Sequence, residues 1–393
     1  MSVTPRSRTR PAVTRIIAGL MLAALLAAGA GCAAIRDDEG RPLNSLSPKG
    51  PSAQEIDDYI VQVFGVAGII FVLVEGGILF MAWRFRHRKD DDGTMPVQTH
   101  GNFGLEIGWT IAPAVILAVL AVGSVRTIWD LEERDADALT VEVIGQQWWW
   151  EFRYDLDEDG TPDIITANQM VVPAGRMIDL DLKSNDVIHS FWIPELNGKK
   201  DAVPGRTNNW RLEADEPGLY QGTCTEFCGL SHAYMRAEVK ALSPADWEQW
   251  LEDQQEPAEV PAAGTLAAEG YAEFQTLCAS CHQVNGFDPD ADPQETDGVP
   301  SPDYRAGNVP LAAGNAPNLT HLMSRNRFAG NLFPLYAENG EGELVPNESD
   351  LGDWLRNPVQ KKPMAPDQRR GMPNLNLTQE QIDALVAYLV TLQ

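Results

Sequence analysis

Hydrophobic and polar positions divide the 393-residue chain into stretches with different periodicities. Predominantly apolar residues fill two long segments, 60–83 and 107–126, and each could cross a hydrocarbon layer of about 30 Å as an α-helix. Short runs that alternate apolar and polar residues follow in 139–242, for example at 177–183, and such alternation predicts half-buried β-strands. The pattern predicts a transmembrane helical hairpin within residues 55–130, followed by an antiparallel β-sandwich or barrel.

A third apolar stretch, residues 16–31, lies close to the N-terminus and follows four arginines. A basic start, a short apolar centre and small residues at the end are typical of a secretory signal peptide, here residues 1–31. The Ala-Gly-Cys sequence that ends at Cys32 resembles a lipoprotein processing site, and it predicts that Cys32 is lipidated as the first mature residue. Ordinary cleavage close to Cys32 and an uncleaved anchor are the alternatives.

The loop between the two predicted spans determines their orientation. It contains residues 84–89, the densest basic cluster after the signal segment, and basic loops of this kind stay on the cytoplasmic side. The chain from about residue 128 onward is therefore predicted to lie outside a bacterial cell membrane. Glu75 interrupts the first span, and because a charge is costly at membrane depth, we expect it to face a partner subunit or to be protonated.

Composition narrows the range of partners. The formal net charge of −26 disfavours nucleic acid, because phosphate binding depends on clustered Lys and Arg, and it favours a basic protein partner. Four of the five cysteines form two close pairs, Cys224 with Cys228 and Cys278 with Cys281. Such pairs indicate metal or cofactor sites more readily than a disulfide framework.

The first cysteine pair lies among several further metal ligands. Residues 224–235 read CTEFCGLSHAYM, and His189 lies upstream at the end of a predicted strand. Thiolates, imidazoles and a weakly bound thioether occur together in the copper sites of electron-transfer proteins. A structural disulfide within the pair is the alternative, but the additional histidines and methionine favour copper.

Residues 55–253 closely resemble subunit II of haem-copper cytochrome c oxidases. The matching sequences are GQQWWW at 145–150, VIHSFWIP at 187–194, DAVPGR at 201–206 and the run at 224–235. In that family the outer domain is a cupredoxin with a dinuclear copper A centre. The resemblance therefore implies an all-β cupredoxin-like domain over residues 139–253.

The resemblance also implies the ligands of the copper A centre. They are His189, Cys224, Glu226, Cys228, His232 and Met235. The two cysteines would bridge both copper ions, and each histidine would bind one of them. The methionine would be a weak ligand to one copper, and the backbone carbonyl of the glutamate would bind the other.

Three other roles follow from the same resemblance. The carboxylate of Glu226 would reach a magnesium ion shared with subunit I. Trp148 is expected to be the exposed aromatic residue through which electrons from a cytochrome c reach copper A, while its two tryptophan neighbours lie in the core. Glu106, at the cytoplasmic start of the second span, matches the position where proton uptake begins in part of the family; a surface glutamate favoured by the helix dipole is the alternative.

The second cysteine pair belongs to a haem-attachment motif. Cys278, Cys281 and His282 form the sequence CxxCH, which is the signature of a covalently bound c-type haem. The two thiols can bond the two haem vinyl groups, and the adjacent histidine can bind the iron. We expect a methionine on the other side of the iron, because it raises the reduction potential compared with a second histidine.

Three methionines are candidates for that sixth ligand: Met372, Met364 and, less favourably, Met323. Met372 is predicted, because Gly-Met-Pro precedes a capped amphipathic helix over 378–392, which is the arrangement in class I c-type cytochromes. Pro317 resembles the proline whose carbonyl accepts a hydrogen bond from the proximal histidine and so orients its ring.

The remaining chain completes the domain arrangement. A Pro/Ala-rich linker over 254–264 leads to a domain over 265–393 that resembles an all-α cytochrome c, with a loop insertion predicted at 287–310. The predicted fold class is therefore a multidomain membrane protein. It consists of a two-helix transmembrane hairpin, an all-β cupredoxin-like domain and an all-α cytochrome c-like domain.

The whole chain resembles an oxidase subunit II with a fused cytochrome c. Electrons from a cytochrome c or a cytochrome bc-type reductase would pass through the haem and copper A to subunit I, which reduces oxygen; subunit III is a further expected partner. A short tether would keep the haem domain at an effective concentration of about a millimolar.

Three other functions are less consistent with the sequence. An exported copper-delivery lipoprotein has no use for a covalent haem. A nitrous oxide reductase needs more histidines for its catalytic copper cluster than the six in this chain provide. A quinol oxidase subunit II would share the anchor and the β domain but would lack the copper ligands.

Overall fold

The computed structural model describes residues 43–87, 95, 97–98, 100–157, 159–160, 162–284, 316–364 and 370–393. The predicted signal peptide, its Cys32 and the predicted insertion at 287–310 lie outside these residues and stay predictions.

Two long apolar helices come first, α1 (Pro51–Arg84) and α2 (Phe103–Glu132). Their apolar windows have mean hydropathies of 2.4 and 2.1, and none of the residues in those windows is buried. The Tyr59 hydroxyl donates a hydrogen bond to the Leu120 carbonyl at 2.6 Å, and a Cβ on Gly123 would lie only 2.7 Å from the Tyr59 ring. The helices therefore pack closely at this point, and they contain the two predicted spans, 60–83 and 107–126.

A two-layered β-sandwich follows the helices. Its strands are β1 (Leu139–Gln146), β2 (Trp149–Tyr154), β3 (Ile164–Ala167), β4 (Gln169–Pro173), β5 (Ile178–Ser184), β6 (His189–Trp192), β7 (Lys200–Ala202), β8 (Asn208–Leu212), β9 (Gly218–Cys224) and β10 (Arg236–Leu242). One sheet has the order β3-β2-β1-β5-β8, and the other has the order β4-β10-β9-β6-β7.

The sheets are mixed, so the prediction of a purely antiparallel arrangement is wrong. β1 pairs in parallel with β5, and β4 pairs in parallel with β10, whereas the other neighbouring strands are antiparallel. The chain leaves the first sheet after β3, forms β4 in the second sheet and then returns beside β1. Alternation along a strand reports which face is buried, but it carries no information about the direction of the neighbouring strand.

Aromatic side chains fill the space between the two sheets. The rings of Trp150 and Phe191 meet edge to face with centroids 5.1 Å apart, and the Trp150 ring lies 5.8 Å from that of His189. A further helix, α3 (Pro244–Gln255), is capped by the Ser243 side chain and packs its buried tryptophans against this core. The core therefore reaches directly to one of the predicted copper ligands.

A mainly helical domain forms the C-terminal part of the chain. Its elements are α4 (Leu266–Leu277), β11 (Arg327–Phe328), β12 (Phe333–Pro334), β13 (Tyr336–Glu338), β14 (Leu344–Pro346), α5 (Glu348–Arg356), α6 (Pro358–Lys361) and α7 (Gln379–Leu389). The strands form two short hairpins, which add to the predicted helices. α7 begins directly after the predicted capping residue, Thr378, which forms a capping box with Gln381.

Candidate metal centres

The predicted copper ligands meet at one end of the sandwich. His189 is the first residue of β6, Cys224 is the last residue of β9, and the loop between β9 and β10 carries the others. The backbone N–H of Cys224 donates to the Met235 carbonyl at 2.9 Å, which closes this loop. Two strand ends and one closed loop therefore bring together residues that are 46 positions apart in the sequence, from His189 to Met235.

The donor atoms form a paired arrangement. The two cysteine sulfurs are 3.8 Å apart, and both cysteines are free thiols, so the alternative of a disulfide is wrong. His189 Nδ1 lies 3.9 Å from the Cys224 sulfur, and His232 Nδ1 lies 3.4 Å from the Cys228 sulfur. Each sulfur thus lies beside one imidazole nitrogen, in an arrangement with two equivalent halves.

Two weaker donors complete the two halves. The Met235 sulfur lies 3.8 Å from the Cys228 sulfur, and the carbonyl oxygen of Glu226 lies 3.3 Å from the Cys224 sulfur. His189 and Met235 are fully buried, and the two cysteines are 2–3% exposed. This donor set fits copper, because soft sulfur and imidazole ligands select that metal and burial keeps water away from it.

The thiols differ in acidity. The hydrogen bond between the two cysteine sulfurs, together with contacts from His189 and two backbone groups, lowers the pKa of Cys224 to about 4 despite its burial. The same hydrogen bond and burial raise the pKa of Cys228. Cys224 is therefore the thiol of the pair that loses its proton more readily, and thiolate is the form that binds a metal.

Asp186 is a functional residue that the sequence interpretation missed. One of its carboxylate oxygens lies 2.8 Å from His189 Nε2, and the other accepts a hydrogen bond from the Gln147 N–H, also at 2.8 Å. Burial alone would raise the pKa of Asp186, but these hydrogen bonds hold it below its usual value. The carboxylate fixes the histidine ring so that Nδ1 faces the sulfur of Cys224. An acidic residue three positions before a ligand histidine was the available signal.

Space at this site is restricted by glycine. A Cβ on Gly145 would lie 2.7 Å from the His189 ring, so a larger residue in β1 would displace the histidine. The Gln147 side chain and the Trp148 indole N–H both donate to the Cys228 carbonyl, at 2.6 and 3.0 Å. The GQQW sequence therefore supports the predicted copper site through side-chain hydrogen bonds to the backbone of Cys228.

Trp148 is buried, so the prediction that it is exposed is wrong. Its exposed fraction is 2%, and Trp149 and Trp150 are buried as well. The C-terminal domain covers it: Lys362 donates to the Trp148 carbonyl, and a Cβ on Gly371 would lie 3.6 Å from the Trp148 ring. The sequence pattern could not reveal this contact, because Lys362 and Trp148 are 214 positions apart in the sequence.

The predicted haem ligands lie at the end of α4. Cys278 caps the helix, and the backbone N–H groups of Cys281 and His282 both bond to its carbonyl, at 3.0 and 2.9 Å. This turn presents both thiols and the imidazole within five consecutive residues. His282 Nδ1 lies 2.8 Å from the Pro317 carbonyl, as predicted. Burial lowers the pKa of His282, which favours the neutral imidazole that binds iron.

The three candidate methionines lie in different places. Met372 packs against the apolar cluster of the C-terminal domain that contains Cys278, and its sulfur accepts a hydrogen bond from the Trp354 indole at 3.0 Å. Met364 instead packs against the core of the β-sandwich. Met323 is a buried member of the same cluster as Cys278.

Arg325 is a buried cation close to His282. It is 5% exposed, its Nε has no hydrogen-bond partner among the described residues, and its Nη2 donates to the Asn318 carbonyl at 2.5 Å. A buried cation without a counter-charge is costly. A haem carries two propionate carboxylates, so an unpaired guanidinium near His282 fits that group.

Comparisons with known proteins agree with this layout. Family models match for the transmembrane domain of cytochrome c oxidase subunit II at 44–127, for its periplasmic domain at 155–242, and for cytochrome c at 267–393. The cytochrome c oxidase subunit 2 of Alkalihalophilus pseudofirmus is 34% identical over 360 residues, covering 89% of this chain and 91% of the relative.

Two further relatives match part of the chain. The quinol oxidase subunit 2 of Bacillus spizizenii is 35% identical over 222 residues, which is 54% of this chain and 67% of the relative. The crystal structure of the periplasmic domain of cytochrome oxidase subunit II from Bradyrhizobium japonicum has 30% identity and a TM-score of 0.29, covering 31% of this chain and 96% of that one.

The family models and the long relative confirm the predicted fold class and the predicted resemblance. The chain therefore belongs to the cytochrome c oxidase subunit II family, with a cytochrome c domain after the subunit II domains, and is one subunit of an oxidase complex.

Proposed function

We propose that the chain relays electrons from a covalent haem on its C-terminal domain to a dinuclear copper A centre on its β-sandwich, and onward to subunit I for the reduction of oxygen to water. The paired donor arrangement supports this most directly. The cysteine sulfurs are 3.8 Å apart, and each lies beside one histidine Nδ1, at 3.9 and 3.4 Å. A single-metal site would not need two such equivalent halves.

The residues proposed to hold the copper ions are His189, Cys224, Glu226, Cys228, His232 and Met235. Copper bound by them would supply a carrier for one electron at a time. The protein holds these ligands on strand ends and a closed loop, with His189, Met235 and both cysteines buried, so they need to move little when the charge of the site changes. Asp186 keeps the ring of His189 in its orientation through a hydrogen bond of 2.8 Å.

The residues proposed to hold the haem are Cys278, Cys281, His282 and Met372. The carbonyl of Pro317 accepts the Nδ1–H of His282, which leaves Nε2 free for iron. Met372 is favoured over Met364 because it packs in the same cluster as Cys278, whereas Met364 packs against the β-sandwich.

The haem domain is proposed to receive electrons from a cytochrome c or a cytochrome bc-type reductase. Trp148 is proposed as the residue through which they reach the copper site, because its indole is hydrogen-bonded to the Cys228 carbonyl. Its burial means that the electrons arrive from the haem domain of the same chain.

We propose that both soluble domains lie outside a bacterial cell membrane, because the basic residues 84–89 favour a cytoplasmic loop. The Glu226 side chain is exposed beside the copper ligands and is proposed to reach a magnesium ion shared with subunit I. Glu106 lies in the first turn of α2, and we propose it as the start of proton uptake. Cys32 is proposed to carry a lipid.

A copper-delivery protein is the alternative that the geometry supports less well. Delivery requires ligands from which another protein can take the metal. Here the ligands are largely buried, with His189 and Met235 fully enclosed. A haem-attachment motif on the same chain also has no role in delivery.

Optical and electron paramagnetic resonance spectra of the purified full-length protein would test the proposal. The expected result is a c-type haem spectrum together with the signal of a mixed-valence copper pair. Cys224→Ser should remove the copper signal and leave the haem spectrum unchanged. A haem spectrum without any mixed-valence copper signal, after copper has been supplied, would contradict the proposed relay.

A further inference from the structure

The C-terminal domain is fastened onto the β-sandwich at one particular residue. Lys362 follows α6, and its Nζ donates hydrogen bonds to the carbonyl oxygens of Trp148 at 2.5 Å and Ala329 at 3.1 Å. Trp148 belongs to the sandwich, and Ala329 lies in the turn between β11 and β12 of the C-terminal domain. One amine therefore joins the two domains through backbone oxygens.

The turn that carries Ala329 packs so closely against the sandwich that Gly330, the next residue, has no room for a side chain. Gly330 has a φ of +80°, and a Cβ at this position would overlap the Lys362 amine and lie 2.8 Å from the Tyr234 carbonyl. Its own carbonyl accepts a hydrogen bond from the Arg236 N–H at 3.3 Å. A glycine is required here both by the backbone conformation and by the lack of space.

Further polar contacts surround this point. The Asn331 amide donates to the Asn168 carbonyl at 2.7 Å, and the Ser231 hydroxyl donates to the Pro363 carbonyl. Arg370 lies 3.8 Å from Asp186, the residue that orients the copper ligand His189. In each of these contacts a particular donor on one domain faces an acceptor on the other. Such complementary pairing is expected of a specific interface between two domains.

The interface contacts both redox motifs. Trp148 is bonded on one side to the Cys228 carbonyl, through its indole, and on the other side to Lys362, through its backbone. Gly371 lies against the Trp148 ring and directly precedes Met372, the proposed haem ligand. Any movement of the C-terminal domain would therefore change the separation between the two proposed centres.

We propose that Lys362 is a positioning residue that locks the haem domain over Trp148, so that Trp148 serves the haem of its own chain and is closed to a separate cytochrome. This inference rests on the proposed electron relay. Loss of the amine would leave two carbonyl oxygens at a buried contact without a donor, and an unsatisfied buried group costs more than the hydrogen bond itself contributes.

Hydrogen exchange of the full-length protein within the purified oxidase would test the docking directly. Lys362→Met keeps the length of the side chain but removes the donor, and Gly330→Ala introduces a Cβ where none fits. Both should speed exchange in the segments around Trp148 and around Gly330 on the order of tenfold, because opening of the interface becomes easier.

Gly342→Ala is the matched control. Gly342 also lies in a hairpin turn of the C-terminal domain with a φ of +83°, but no atom lies within 4 Å of its Cβ position. Gly342→Ala therefore places alanine at a positive φ, as Gly330→Ala does, but it makes no contact with the sandwich. Exchange in Lys362→Met and Gly330→Ala that equals exchange in Gly342→Ala and the wild type would overturn the proposal.

A kinetic readout separates positioning from general stability. In Lys362→Met, reduction of the copper pair by the haem should slow, while direct reduction of the copper pair by a small soluble donor should become faster because Trp148 is uncovered. The haem and copper spectra should stay as in the wild type. Unchanged rates of both reactions in Lys362→Met would contradict the proposed positioning role of Lys362. Absence of the haem and copper spectra in the wild type would instead contradict the proposed electron relay.

Discussion

At the scale of single residues, the carboxylate of Asp186 orients the ring of His189, a proposed copper ligand. The side chain is 4% exposed, and it accepts hydrogen bonds from the N–H groups of Gln147 and Val187 as well as from the histidine. Three donors converge on one carboxylate, so the ionised form is strongly favoured. Asp186 therefore links the turn after β1, the start of β6 and the proposed copper ligand His189.

Replacement of Asp186 by Asn should weaken copper binding. An amide cannot accept hydrogen bonds at both of its ends, so it would lose one backbone donor and the charge that holds the imidazole. We expect the affinity for copper to fall about 10- to 100-fold, which is the usual cost of losing a group that orients a metal ligand. Competition with a chelator of known affinity would measure it. Asp137→Asn, on the exposed surface, should bind copper as the wild type does.

The choice between the two haem methionines also belongs to the residue scale. Met372→Ala should abolish the low-spin spectrum of a haem held by His and Met and should lower the reduction potential, because the thioether raises it. Met364→Ala should leave that spectrum intact, since this side chain packs against the sandwich core. Spectra of both variants in the oxidised and reduced states decide the matter, and a loss of the low-spin form only in Met364→Ala would reverse the assignment.

At the scale of elements, the crossing of α4 and α7 holds the haem motif in place. Gly270 of α4 has no room for a side chain, because a Cβ would overlap the Ala384 carbonyl of α7 and lie 2.9 Å from Tyr388. The Tyr388 ring also meets that of Phe274 edge to face at 5.4 Å. Cys278 follows Phe274 by one helical turn, so the crossing sets the position of the proposed haem-attachment motif.

Gly270→Ala should therefore destabilise the C-terminal domain. Forcing a methyl group into a closed contact costs about 1–3 kcal/mol, which exceeds the gain of about 1 kcal/mol from the better helix propensity of alanine. Gly352→Ala in α5 offers the same gain in propensity with only ordinary contacts, since the nearest atom would be 3.6 Å away. Denaturant unfolding followed by haem absorbance should rank Gly270→Ala below the wild type and Gly352→Ala at or above it.

At the scale of the whole molecule, charge governs which donors approach. The chain has 56 acidic and 30 basic residues, and its net charge of −26 creates a long-range field that attracts cations. Since the haem domain covers Trp148, such a donor meets the surface of the C-terminal domain rather than the copper site. The same charge keeps an acidic donor at a distance.

Reduction of the haem by a basic soluble cytochrome should therefore slow as salt is added. Raising the ionic strength from about 0.01 to 0.15 M shortens the screening length to about 8 Å, and we expect the bimolecular rate to fall by about tenfold or more. Stopped-flow absorbance would follow it. An acidic donor of similar potential serves as the control and should show the opposite trend; the same salt dependence for both donors would exclude electrostatic steering.

Short-range spacing explains what could be predicted. The two spans, the CxxCH motif and the predicted copper-binding run at 224–235 each lie within one continuous segment. Their side-chain types therefore predict their roles without knowledge of the fold. The capped helix after Thr378 was predicted for the same reason, because capping depends on residues three positions apart.

Long-range contacts explain the rest. The parallel pairing of β1 with β5, the hydrogen bond from the Gln147 N–H to Asp186 and the burial of Trp148 all depend on how the chain returns on itself. The family resemblance also suggested an exposed Trp148, whereas the structure shows it buried. Here the fused domain brings Lys362 to its carbonyl.

The sequence by itself determined which atoms could bind copper and haem and which segments could cross a membrane, because these depend on composition over a few neighbouring residues. Only the tertiary structure decided how the two soluble domains meet and which side chain joins them. That contact joins residues 148, 329 and 362, which are far apart in the sequence. No local sequence pattern predicts it, because the backbone carbonyls of residues 148 and 329 receive these hydrogen bonds only after both domains have folded.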